Sequence, residues 1–197
     1  MHSAFVNMKI VPEQRESALR EISKVEYVQQ TRAAEGFYNG IASVDATSSN
    51  ILRDVISWDI RRRDELRGTL TSILVGSYMP ERFVQSRNPF CARVMADVKE
   101  GDEDSVADRL LSLPEPYIKD IYRSVGLYRL IIGVEAPDYS SCRNFVVRRI
   151  GLADKIRSTL TLMETDRYVD GVLQNSNISD AKSVANSIES IQNSQFS

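Results

Sequence analysis

The sequence predicts an α+β fold of two ferredoxin-like (βαββαβ) units in tandem. Their four-stranded antiparallel sheets are expected to pack as a dimeric α/β-barrel-like pair. Three observations carry this expectation. The chain repeats itself: from Gly36, GFYNGIASVDATSSNILRDVISWDIRRRDELRGTLTSI lies without a gap on GLYRLIIGVEAPDYSSCRNFVVRRIGLADKIRSTLTLM, which begins at Gly126. Gly36/Gly126, Tyr38/Tyr128, Ile41/Ile131, Val44/Val134, Arg53/Arg143 and Ile60/Ile150 recur at one offset of 90 positions (Gly36 to Gly126), and both copies then read Thr-Leu-Thr. A repeat of that length is a small domain, not one turn of a solenoid. Within each copy the patterning runs strand, helix, strand, strand, helix, strand. Third strands such as Leu127–Val134 carry apolar residues of both parities, whereas a sheet wetted on one side shows polar residues there. Sheet-against-sheet packing of the two copies explains why both faces are apolar.

Each element has a local cause. Ala4–Val11 places Val6, Met8 and Ile10 in alternation with polar Asn7 and Lys9, a strand pattern. Pro12 and Glu13 open a helix, proline being tolerated in its first turn, and Ala18, Leu19, Ile22 and Val25 mark the buried stripe. Residues 26–34 form a second strand, which Gly36 turns back into a third at 37–45. Thr47 or Ser48 caps a helix with Ile51, Leu52, Val55, Ile56 and Ile60 inward. A fourth strand spans 65–75. The second copy gives strands at 92–99, 117–125, 127–135 and 155–165. Its first helix bears Val106, Leu110 and Leu111 and is stopped by Pro114-Glu115-Pro116; its second is capped by Asp138 and runs to Ile150. The divisions are residues 1–76, a linker at 77–90, residues 91–169, and a polar tail at 170–197. In the tail Ile178, Ala181, Val184, Ala185, Ile188 and Ile191 have the spacing of a weak helix.

Composition narrows the function. A net charge of −2 offers no global attraction to nucleic acid. Arg61-Arg62-Arg63 and Arg148-Arg149 fall at helix ends, where cations complement the dipole, so no direct nucleic-acid binding is expected. Cys91 and Cys142 are too few for a disulfide framework and lack metal-ligand spacing; Cys142 reads as a small buried residue. No apolar run approaches the ~18 residues needed to cross a membrane. With no leader-like start, a cytoplasmic location is expected.

The pattern resembles the effector-binding (RAM) domain of the Lrp/AsnC family of transcriptional regulators. The residues carrying the resemblance are Gly36-Phe37-Tyr38-Asn39, Val44-Asp45 and Leu70-Thr71, with counterparts Gly126-Leu127-Tyr128-Arg129, Val134-Glu135 and Leu160-Thr161. It covers residues 4–165 and leaves no room before the first strand for the family's helix-turn-helix. It implies two fused effector units, with a small, amino-acid-like metabolite bound at a domain or subunit interface, and self-association or association with Lrp/AsnC-type regulators. The ligand residues it implies are Tyr38, Asn39, Thr69, Thr71, Tyr128, Arg129, Thr159 and Thr161. The family's turn aspartate is replaced by Asn39, which only hydrogen-bonds an amino group, and by Arg129, which suits a carboxylate.

Catalytic patterns are sparse. The sole histidine is His2, no Cys–His pair or Gly-rich phosphate loop is evident, and no cofactor is called for. Arg67/Arg157 and Asp64/Asp154 read as local or inter-repeat ion pairs, and Trp58 as partly buried. A non-enzymatic ligand-sensing module is therefore expected. The alternatives are a ligand-free co-assembly partner of DNA-binding relatives and a cofactor-free ferredoxin-like monooxygenase.

Overall fold

The computed structural model of the chain describes residues 1–81, 83 and 89–175. Strand β1 (His2–Ile10) turns Ala4, Val6, Met8 and Ile10 toward helices and Phe5 the other way, as its alternation requires. Pro12 starts a short 3-10 turn that leads into α1 (Arg15–Ile22), which buries Ala18, Leu19 and Ile22. Strands β2 (Val28–Glu35) and β3 (Gly40–Ala46) follow. Helix α2 (Ser49–Asp54) is capped by Ser48, whose hydroxyl accepts from the Ile51 amide at 3.3 Å; β4 (Leu66–Tyr78) completes the set.

The second half repeats the order: β5 (Phe90–Val98), α3 (Glu103–Leu111), β6 (Ile118–Val125), β7 (Leu130–Ala136), α4 (Tyr139–Phe145) and β8 (Ile156–Val169). Asp138 caps α4 by accepting from the Ser141 amide at 2.8 Å. Both α2 and α4 run on into a π-helical turn, Val55–Ile60 and Val146–Ile150. The turns close with i→i+5 bonds from Arg61 N to Ile56 O (3.0 Å) and from Gly151 N to Val146 O (2.8 Å). Such turns are rare, and their recurrence at one place shows the copies diverging without losing backbone detail.

Three expectations need correction. The strands do not form two separate four-stranded sheets. They make one antiparallel sheet in the order β2-β3-β1-β4-β6-β7-β5-β8 with a short strand β9 (Val172–Asn175) beside β8, and β2 also pairs with β8. The ring is thus closed, and the halves meet edge to edge at a β4–β6 seam and a β2–β8 seam. Those seams obey the repeat: Ile73 faces Val125 across the first, and Met163 faces Glu35 across the second. Strand β9 lies where only a polar tail was expected, and the tail helix positions from Ile178 onward fall outside the described residues. Trp58 is exposed, with the Arg62 guanidinium 3.3 Å above its ring.

Three cores result. One lies between the sheet and α1/α2, a second between the sheet and α3/α4, and the third fills the barrel. The third combines Phe5, Ala34 and Ile41 of the first half with Met95, Ile131 and Leu162 of the second. Mutual covering of the sheet faces is thereby achieved by closure of one sheet.

Candidate functional site

The two glycine turns sit at one end of the barrel. Gly36 (φ 141°) and Gly126 (φ 145°) adopt backbone that side chains rarely allow. A Cβ at Gly36 would lie 3.0 Å from Leu162 Cδ2 and 3.1 Å from Thr161 O. Past each turn comes a tyrosine. Tyr38 and Tyr128 are half-buried and pack with Leu70 and Leu160 onto the barrel core. Burial first, then the nearby Tyr38 and Asp97, push the Tyr128 phenol up. These two of the eight sequence-derived residues are brought together.

Asn39 and Arg129 are occupied differently. The Asn39 amide Nδ2 donates to Ile10 O (2.9 Å) and its Oδ1 accepts from Ile10 N (2.7 Å), so the side chain extends the β1–β3 ladder. Arg129 donates to Glu100 Oε2 at 2.9 Å and lies 3.8 Å from Glu103 Oε1. Beside Asn39 a groove of about 370 Å³ opens among Lys9, Pro12, Gly36, Phe37 and Arg67. Lys9 Nζ stands 4.7 Å above the Phe37 ring, which meets Tyr38 edge-on at 5.1 Å.

Charge at this end is unevenly settled. In the second half Arg157 pairs with Asp97 at 2.8 Å. Its counterpart Arg67 finds Asn7 at the position matching Asp97. Among the described residues, neither Arg67 nor Lys9 has a carboxylate within ion-pair distance. The sequence expectation of matched ion pairs holds for Arg157 and fails for Arg67. Asp154 lies 3.8 Å from Arg109, with both side chains exposed.

The four threonines face elsewhere. Thr69 pairs with Met8 and Thr71 with Val6, residues of the helix-side core, and Thr159 and Thr161 match Ala96 and Val94 in the same way. They therefore lie on the opposite sheet face from the barrel core that Tyr38 and Tyr128 cap. Arg61 covers the first pair, donating to Thr69 Oγ1 at 3.0 Å and Thr71 Oγ1 at 3.2 Å. Gly151 stands at the matching position of the second half, and Thr159 is exposed. The eight residues do not line one cleft.

Sequence reasoning missed a charged cluster inside the barrel. Arg93 donates to Asp120 Oδ1 at 2.8 Å and to Glu164 Oε1 at 3.3 Å, while Arg32 reaches Glu164 Oε2 at 2.6 Å. The Arg93 guanidinium also lies 4.6 Å over Phe5, which meets Tyr122 edge-on at 5.5 Å. Burial works against the charge of both Arg93 and Glu164. The two acids outweigh it for Arg93, raising that group, and Arg32 with Arg93 outweigh it for Glu164, holding the carboxyl low. Gly133 makes the room, since a Cβ there would overlap Asp120 Oδ1. The available signal was charge at inward parity in strands whose two faces are covered. The cysteines are inert by comparison: burial pushes the Cys91 thiol up to about 11 and that of Cys142 to about 12.

No protein-family model matches the chain, and no curated protein matches it. Solved structures do. The siroheme decarboxylase NirDL superposes with a TM-score of 0.64 at 8% identity, over 85% of this chain and 72% of its own. Chlorite dismutase from Candidatus Nitrospira defluvii gives 0.51 at 12% identity, over 83% of this chain and 90% of its own. A protein called FFRP-DM1 matches at 0.37 and 23% identity, over 38% of this chain and 100% of its own, about one βαββαβ unit. At these identities the likeness is one of fold. It nonetheless overturns the expectation of a non-enzymatic protein, because the folds shared across most of the chain are those of a decarboxylase and a dismutase. Among the described residues no helix is long and apolar enough to cross a membrane.

Proposed function

We propose that the chain is a fused pair of Lrp/AsnC-type effector units that binds a small anionic, amino-acid-like metabolite in the groove beside Gly36 and Asn39. The observation carrying this is that, among the described residues, Lys9 and Arg67 line a ligand-sized groove with no carboxylate at ion-pair distance, where the second half neutralises Arg157 and Arg129 internally. A carboxylate is the natural complement: Arg67 offers a planar fork and Lys9 a point charge. Phe37 adds an apolar wall for the ligand's remaining atoms. In this reading the two halves are not equivalent sensors; the first binds and the second supplies scaffold. A ligand held at the barrel end would favour whichever arrangement of the Gly36 and Gly126 turns it fits better.

The siroheme decarboxylase is in complex with an iron-uroporphyrin III analogue, and the described residues here do not suit an iron tetrapyrrole held by histidine. His2 is exposed at the start of β1, and buried side chains fill the spaces between helices and sheet.

The test is calorimetric titration with a panel of amino acids, 2-oxo acids and hydroxy acids, followed by mass spectrometry of the recovered ligand to detect turnover. Arg67→Ala is expected to weaken binding about tenfold, the loss of one charge-assisted contact. Arg157→Ala should leave it unchanged. Equal loss in both variants, or no binder in the panel, would remove the groove from consideration.

A further inference from the structure

The two seams of the barrel are related by the repeat yet carry opposite chemistry. At the β4–β6 seam, Leu74 and Tyr122 both pack on the apolar cluster inside the barrel. Shifted by the repeat offset, the matching residues at the β2–β8 seam are Glu164 and Arg32. Their Oε2 and Nη1 atoms are 2.6 Å apart, and the side chains are only 3% and 15% exposed. We propose that this asymmetry is a pairing code, which makes each half accept only the other kind of half as the partner that closes its barrel.

Charge must balance within this buried space. In the mixed pair the cluster holds Arg32 and Arg93 against Asp120 and Glu164, and every one of the four touches an opposite charge. Only Arg32 comes from the first half. Two first halves closing on each other would set Arg32 opposite Leu74 at both seams. Each arginine would then lose the acid it touches, because Ser3, Gln30 and Leu74 stand where the second half has Arg93, Asp120 and Glu164, and the carboxylate that remains on this face is Asp45, at the position matching Glu135. Two second halves would set Glu164 opposite Tyr122 at both seams, leaving Arg93 alone to balance Asp120 and Glu164. Buried charge without a partner is strongly disfavoured. Like-with-like closure is thus penalised at both seams, while the mixed pair satisfies one seam with apolar packing and the other with ions. Discrimination through penalties on the wrong partner is the usual route to specificity.

Phe5 and Gly133 fit the same scheme. The first-half ring of Phe5 lies under Arg93, and Met95 holds the matching place in the second half. Gly133 clears space beside Asp120 and Arg93, where the first half has Ser43. Three of the four charges lie in the second half, and Arg32 of the first completes the cluster.

The decisive experiment starts from the folded full chain. A protease site is placed between Tyr78 and Phe90, the folded protein is cut, unfolded in urea and refolded, and the products are weighed by native mass spectrometry. Mixed pairs are expected from the wild-type sequence. In the Arg32→Tyr, Glu164→Leu double variant, which writes the chemistry of the β4–β6 seam into the other seam, like-with-like pairs are expected to appear. Wild-type fragments that pair at random overturn the proposal. Should the fragments fail to refold, the uncut chain decides by thermal unfolding. Each single substitution is expected to lower the melting temperature by about 10 °C, and the double variant to recover most of that loss. Losses that simply add in the double variant would show that the pair carries no seam preference.

Discussion

The first and second halves share a backbone down to the π-helical turn, yet they settle charge in different places. The second half neutralises its turn-end arginines on its own surface and sends Arg93, Asp120 and Glu164 into the barrel. The first half sends only Arg32 into that cluster, with Asp45 at inward parity beside Ser3, and among its described residues neither Lys9 nor Arg67 meets a carboxylate at the turn end. Two identical chains meeting around a symmetric barrel could not do this, because every substitution would appear twice. Fusion lets one copy specialise in closure and the other in presenting an open cationic groove.

The largest effect should come from the interior cluster. Glu164→Leu leaves Arg32 without its acid and Arg93 with only Asp120, and is expected to cost about 3–5 kcal/mol in urea unfolding. The matched change in the first half, Leu74→Ala, removes partly buried apolar contact and should cost about 1–2 kcal/mol. Equal costs would erase the distinction between the seams. The same carboxylate gives a pH signature. Its folded-state pKa is held below the ordinary 4.5, so its contribution is complete above that value and is lost as pH falls through the depressed folded value. The Arg32→Tyr, Glu164→Leu double variant should therefore lose less stability than wild type on acidification below about pH 4.5. Parallel pH profiles would contradict a charge-paired Glu164.

Gly133 sharpens the comparison at the next level. Gly133→Ala pushes a methyl into Asp120 and is expected to destabilise by about 1–3 kcal/mol, while Ser43→Gly at the matching place should stay within about 1 kcal/mol. Chemical denaturation of both variants measures the contrast.

How much of this was legible follows from the range of each interaction. Element order was readable because each element has a local signature: the alternation of β1, the Ser48 and Asp138 caps, and the Pro114–Pro116 stop. Edge-to-edge closure was not readable, since nothing near β4 or β6 says that Ile73 will face Val125. Parity could have placed the threonines on the helix side, because Thr69 and Thr71 flank inward Leu70; family resemblance drew them to the ligand instead. The Arg32–Glu164 contact spans 132 positions, and that of Arg93 with Glu164 spans 71. No window along the chain holds either pair. Asn7 against Asp97 was visible in the repeat, and it is the signal that Arg67 would not copy the Arg157–Asp97 pair.

The smallest effect concerns the outer face, where Arg61 lies across Thr69 and Thr71 and Gly151 occupies the matching place. All three side chains are solvated, so Arg61→Gly, which copies the second half, should change stability by no more than about 1 kcal/mol. It should also leave ligand affinity at the Gly36 groove unaltered, because Thr69 and Thr71 face away from the barrel core. Titration of the Arg61→Gly variant with whichever acid binds wild type tests this. A marked loss of affinity would mean that the outer face of β4 belongs to the site after all, and would return the threonines to the role the family resemblance assigns them.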